Sequence, residues 1–189
     1  ELYGNISVDT TDPARSNSGN MFAALLANVL NGGQTLTEDN LREILPELQS
    51  IFGKLGYMET SSSDLFSQFL RMGIGAKPVI AGYESQLIEY AAIYPDEYKN
   101  IEDDIVMLYP TPTVWSTHVL LALDENGQKL LDAHLDEDLQ ALAWTKHGFR
   151  TGNYSTVSTG GDIAAKGVAA DITQVTQVPS YDVMKIIIE

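Results

Sequence analysis

The chain has 189 residues, 44% of them hydrophobic, with 26 acidic and 11 basic residues and a net charge of −15. That balance argues against nucleic acid, which needs a basic footprint, and against an anionic lipid surface. It leaves open a small anion held locally by backbone N–H groups and hydroxyls. There is no cysteine, which excludes disulfides and thiolate metal sites.

In chain order, Ile6 and Val8 form a short β-prone run that ends in a polar knot closed by Pro13. Ser16, Asn17 and Ser18 offer N-cap oxygens, and Gly19 lets the backbone approach a bound group. Phe22, Leu25, Leu26, Val29 and Leu30 then recur at helical spacing, and Asn31-Gly32-Gly33 stops the helix. A strand feeding a Ser/Asn/Gly-rich helix start offers N–H groups and the positive dipole end, a ready site for an anion or carboxylate. The same pattern also describes an ordinary capped helix.

A second helix starts at Thr37 with acids in its first turn and buries Leu41, Ile44, Leu45, Leu48, Ile51, Phe52 and Leu55. Pro46 is expected to kink it or split it in two. A third runs from the Ser61–Asp64 cluster through Leu65, Phe66, Phe69, Leu70 and Met72 to Gly73. Lys77–Ala81 reads as a short buried strand, followed by the polar turn Gly82–Gln86 and a helix through Leu87, Ile88, Tyr90 and Ala91. Asp104–Tyr109 and Val114–Leu123 read as two further strands separated by Pro110-Thr111-Pro112-Thr113. Asp124–Gly127 reads as a turn, and Gln128–His147 as one long helix with Gly148 at its C-terminal end. Beyond it, Asn153–Asp162 reads as a loop, and the MKIIIE end is open between helix and strand. Strands alternating with helices argue for an α/β fold with a mixed, mainly parallel sheet.

Catalytic signals are weak. The sequence has no G-x-S-x-G, P-loop, G-x-G-x-x-G or H-E-x-x-H, so no enzyme activity and no cofactor are expected. A hydrolase or transferase would need Ser, His and Asp converging in one cleft. His118 lies in an apolar run and reads as a packed histidine. His134 and Asp138 read as sharing one helix face, two potential ligands that do not make a metal site. Glu102–Asp104 and Asp136–Asp138 read as solvated ends. Arg15 and Arg150 are candidates to pair an anion, against the commoner case of a solvated arginine.

Four pieces in this order resemble the type 2 periplasmic (extracellular) solute-binding proteins of ABC transporters, the molybdate-type and related groups. They are Asp12-Pro13 through Ser18-Gly19, the KPVIAGYESQ strand and turn, Tyr109–Leu123 with the DENG turn, and the helix ending in Lys146-His147-Gly148-Phe149-Arg150. The resemblance covers about 6–150. It implies a three-layer αβα lobe with crossover strands to an incomplete second lobe. Residues 1–117 would be the solute-binding lobe, and 118–189 a return segment, long helix and less regular tail. It further implies an extracytoplasmic protein that binds a small polar or anionic solute in an interlobe cleft, with a membrane permease or a missing N-terminal lobe as partner.

By the same resemblance Thr11, Asp12, Ser16, Asn17, Ser18 and Gly19 would form one wall of the cleft. Tyr83, Glu84, Ser85 and Gln86 would form the next, with Tyr109 and Thr111 near the hinge. Asp12 and Glu84 conflict with an oxyanion, so an amine-bearing or metal-bound ligand is equally consistent with them. By the same resemblance, the N-terminal half of the first lobe is expected to be missing from this chain. Opening at Glu1 without Met and without a signal peptide, it is expected to be a mature product or an excised segment. The alternative reading is a protein-interaction module that reuses the fold without a solute. A large exposed apolar patch would favour it.

Overall fold

A computed structural model describes residues 8–151 and 163–189. Its elements, in order, are β1 (Val8–Asp9), α1 (Asn17–Leu30), α2 (Glu38–Phe52), α3 (Ser62–Met72), a 3₁₀ turn (Gly73–Gly75) and β2 (Val79–Ile80). There follow α4 (Glu84–Ile93), α5 (Pro95–Lys99), α6 (Glu125–Ala133), α7 (Glu137–His147) and α8 (Tyr181–Ile188). The fold is mixed helix and strand, with helices dominant and a small parallel sheet of two strands. Ile6 and the expected loop 153–162 lie outside the described residues.

The chain forms two compact units. The first comprises 1–82, 110–116 and 174–189; the second comprises 83–109 and 117–173. The expected boundary at 117 lies beside one of the four crossings between them.

In the first unit β1 and β2 pair in parallel, Val8 opposite Val79 and Asp9 opposite Ile80. The Lys77 ammonium reaches the Asp9 carboxylate at 2.9 Å and ties the strand ends. Thr11 adds a single parallel bridge to Glu59, and Thr113 another to Val175. The core gathers Ala27 of α1, Leu36, Leu41 and Leu48 of α2 and its approach, and Val183 of α8. Phe22 and Phe52 meet edge to face at 6.1 Å between ring centres, a favoured aromatic geometry. Buried Asn28 on α1 accepts from the Leu36 N–H at 2.8 Å and donates to the Gln177 carbonyl at 2.8 Å, binding three segments at one point.

In the second unit α4 packs on α7. Leu87, Ile88 and Ala91 of α4 and Trp144 of α7 are buried. Gly148 ends α7 in the left-handed conformation at φ 68°. Its missing side chain admits α4: a Cβ there would lie 2.7 Å from the Ser85 Cα and 2.9 Å from the Ile88 Cβ. Tyr98 of α5 accepts from the Lys166 N–H at 2.7 Å, and the Lys166 ammonium pairs with Asp103 and Glu102.

Several expectations are corrected. The strands expected at 104–109 and 114–123 do not form: the backbone runs without bend or turn through 105–110 and 114–123, and no second strand among the described residues pairs with it. A continuous apolar run such as Ile105–Tyr109 or Val119–Leu123 is compatible with a strand but does not supply the neighbour its ladder needs. The single long helix is two helices, because Asp124 and Asp136 each cap a start. Asp124 accepts from the Gly127 N–H at 2.7 Å and Asp136 from the Leu139 N–H at 3.0 Å. The expected turn at Asp124–Gly127 is therefore the first turn of α6, and His134 and Asp138 do not share a helix. Pro46 does not split α2, which continues through it. His118 is exposed rather than packed in a core, with its ring edge against Phe149 at 5.4 Å. The MKIIIE end is helical.

Candidate functional site

The predicted residues fall into two groups, one in each unit. In the first unit the chain leaves β1, turns at Asp12-Pro13 and enters α1. The Asp12 carboxylate accepts the Ala14 N–H at 2.8 Å, an Asx-type turn that fixes the knot. Arg15 stands 3.7 Å from the same carboxylate and is largely exposed. Ser16 occupies the N-cap position, yet its hydroxyl makes no cap bond. It meets the Ser18 hydroxyl at 2.8 Å, and Ser18 meets the Thr11 hydroxyl at 2.7 Å. Three hydroxyls thus form a chain across the start of a 14-residue helix, with Thr11 and Ser18 buried.

Gly19 makes this close approach feasible. A Cβ there would lie 2.7 Å from the Asp12 carbonyl carbon and would also run into the Thr11 carbonyl oxygen. Asn17 turns aside and donates to the Ser116 hydroxyl at 3.1 Å. Ser116 was not expected, and 99 residues of separation leave no sequence signal for it. Thr111 also belongs to this unit and is exposed. The first-turn amides of a helix have no acceptor within the helix. Beside them, the hydroxyl chain offers both donors and acceptors to a small polar group.

In the second unit Glu84 opens α4. Its carboxylate accepts Arg150 Nε at 2.6 Å and Nη2 at 2.9 Å, and also the Tyr109 hydroxyl at 2.6 Å. Arg150 goes on to the Ala169 and Ala170 carbonyls at 2.6 and 3.2 Å and lies over the Trp144 ring at 4.8 Å. Burial alone would lower the Arg150 pKa, but the hydrogen bonds and charge of Glu84 outweigh it and the net shift is upward. Burial, then the Glu84 hydrogen bond, raises the Tyr109 phenol well above its ordinary value. Glu84 is therefore neutralised from within, and Arg150 spends its donors on the protein. Tyr83 donates its N–H to Gln86 Oε1 at 3.2 Å, closing the first turn of α4. Ser85 is half-buried under Gly148. This group is a satisfied ionic network rather than an open ligand surface. The sequence pointed to Glu84 and Tyr109 but not to Trp144 or the carbonyls that complete it.

A concavity of about 560 Å³ lies in the first unit against the starts of α2 and α8, lined by Thr35, Thr37, Glu38, Asp39, Gln177 and Ser180 among others. None of the expected site residues lines it. Among the described residues no cluster of three or more His, Asp or Glu is arranged to hold a metal, and no helix is long and apolar enough to cross a membrane. No family model, no curated protein and no solved structure matches the chain.

Proposed function

We propose that the chain is an extracytoplasmic solute-binding protein, or a lobe of one, that serves ABC-type uptake or sensing. It takes a small polar or anionic solute at the N-terminal end of α1. The observation that carries this reading is the Thr11–Ser18–Ser16 hydroxyl chain, drawn tight by Gly19 at the positive end of the helix. The parallel pairing of β1 and β2 supports a place in the αβα lobe that the sequence resembles. The internal neutralisation of Glu84 by Arg150 removes one of the two carboxylates that conflict with an oxyanion. Asp12 bonds to its own turn, so it orients the knot and need not meet the ligand.

Thermal-shift titration of the full chain tests this, using molybdate, sulfate, phosphate, amino acids, polyamines and divalent metals in turn. A ligand that binds only the folded state raises the melting temperature by mass action. The expected result is a concentration-dependent rise with one class, lost in Ser18→Ala, which removes the central hydroxyl. No rise with any class, or a rise that Ser18→Ala leaves intact, overturns the assignment.

A further inference from the structure

Independently of any solute, the second unit sets a thioether beside the hydroxyl of its buried ionic network. The Tyr109 hydroxyl has one proton and two acceptors, Glu84 Oε2 at 2.6 Å and Met107 Sδ at 2.8 Å. The carboxylate holds it, because a charged oxygen accepts far better than a thioether sulfur. Glu84 in turn carries Arg150, whose side chain is 6% exposed. The Met107 sulfur is thus one hydrogen bond away from a buried charge pair. Of the five methionines, Met72 is 50% exposed and Met184 is buried in the core. Among the described residues, Met107 alone has a sulfur that receives a hydrogen bond. Its side chain is half-buried, so it keeps contact with solvent as Met184 does not.

We propose that Met107 is a modification site, an oxidation-sensitive switch of this network with a peroxide as its reagent. A sulfur lone pair attacks one oxygen of hydrogen peroxide; the O–O bond breaks and an S–O bond forms. The proton on the transferred oxygen passes to the leaving hydroxide. Peroxide is reduced to water, and the thioether is oxidised by two electrons to the sulfoxide. The weaker acceptor at Tyr109 becomes a strong one, because a sulfoxide oxygen is polar where the thioether was not. It competes with Glu84 for the single phenolic proton, and Glu84 is left with Arg150 as its only side-chain donor. A buried acceptor that loses a donor costs stability. Oxidation at Met72 has no such effect: it adds an oxygen where water already is, with no hydrogen bond to redirect. The switch is reversible, since a sulfoxide reductase drawing on a dithiol restores the thioether.

The test treats the full chain with hydrogen peroxide in steps. Peptide mass spectrometry reads the oxidation of each methionine, and thermal unfolding reads the consequence. The expected result is a fall in melting temperature that tracks the Met107 sulfoxide fraction and is reversed by a sulfoxide reductase with dithiol. Met107→Leu, close in volume, should hold its melting temperature under a treatment that oxidises Met72. Tyr109→Phe separates a redirected proton from simple crowding. It has no phenolic proton to divert, so oxidation of its Met107 should lower the melting temperature clearly less than in the native chain. Each variant is compared with itself before and after peroxide, so a lower starting stability does not enter. Three outcomes would overturn the proposal: a Met107 that stays reduced while Met72 is oxidised, a Met107 sulfoxide that leaves the melting temperature unchanged, or a loss as large in Met107→Leu or Tyr109→Phe as in the native chain.

Discussion

Arg150 presents Nε and Nη2 to the two carboxylate oxygens of Glu84 at 2.6 and 2.9 Å, with the two side chains only 6% and 16% exposed. The pair joins the start of α4 to the chain just beyond α7. Such a fork-to-fork geometry is directional as well as charged. Breaking it from one side strands a buried charge. Glu84→Gln and Arg150→Met are each expected to cost about 3–5 kcal/mol. The double variant Glu84→Gln/Arg150→Met should cost clearly less than the sum. Denaturant titrations of the four proteins provide the double-mutant cycle, and additive losses would mean that the pair does not act as a unit.

Tyr109 adds a pH dependence to this network. Its folded-state pKa is raised above the ordinary value of 10.0, first by burial and then by the bond to Glu84. A raised folded pKa means that the stabilisation is fully present below about pH 10, the unfolded value, and is lost as the pH climbs beyond it. Lys166, raised by Asp103 and Glu102, acts in the same direction, but it is exposed and its share is screened. Melting temperature is therefore expected to fall on the alkaline side. Tyr109→Phe should flatten that limb while lowering stability near neutrality, because Glu84 loses a donor. An alkaline limb of equal steepness in the variant would assign the effect elsewhere.

Local signals in the sequence led to local structure. Helical spacing and cap residues placed α1, α2, α3 and α4, and Gly148 was read as the residue that ends a helix, where glycine takes the left-handed conformation at no steric cost. The strands failed for a physical reason. A helix closes its own hydrogen bonds, but 105–110 and 114–123 would need a neighbouring strand, which an apolar run does not by itself supply. Asp124 was legible as a turn residue and Asp136 as a solvated acid, but neither as a cap, since the same residue serves a turn, an exposed face or a helix start. At the candidate site, Ser16 and Ser18 were visible as hydroxyls next to a helix. That Ser16 bonds Ser18 rather than capping, and that Asn17 reaches Ser116, depends on packing across distant segments.

Gly148 separates two effects that its sequence position merges. Gly148→Ala meets a left-handed conformation, which costs about 1–2 kcal/mol for a residue with a Cβ. It also drives that Cβ into the Ser85 backbone and Ile88. Gly167→Ala in the same unit has a similar φ of 77° but only Met107 nearby, at 3.9 Å. Gly148→Ala is expected to lower the melting temperature well beyond Gly167→Ala. Equal losses would show that α4 yields without cost, and that backbone conformation alone keeps glycine there.

Asn28 is fully buried in α1 and serves partners on two other segments: the Leu36 N–H on the approach to α2, and Gln177 and Thr176 ahead of α8. Replacing it by alanine leaves the Leu36 N–H buried without its acceptor, which costs about 1–3 kcal/mol before any cavity is counted. Asn28→Ala is therefore expected to destabilise more than Asn40→Ala, whose amide donates to Asn31 at the exposed surface. Chemical denaturation of both variants checks the order, and a smaller loss at Asn28 would mean that water replaces the amide.

Pro46 makes the opposite kind of prediction, a gain. It lies inside α2 on the exposed side, and the helix continues on both sides of it. Proline there removes one N–H from the ladder and crowds the preceding turn, at about 3 kcal/mol relative to alanine. Leu41 and Leu48 flank it, and both enter the core with Ala27 and Val183. Whatever bend proline imposes is therefore already built into that packing. Pro46→Ala restores the hydrogen bond but tends to straighten the helix, which shifts one of the two leucines. The expected result is a rise in melting temperature worth less than the full 3 kcal/mol or so of the helix term. A fall would show that the packing of Leu41 and Leu48 depends on the bend more strongly than α2 depends on its missing hydrogen bond.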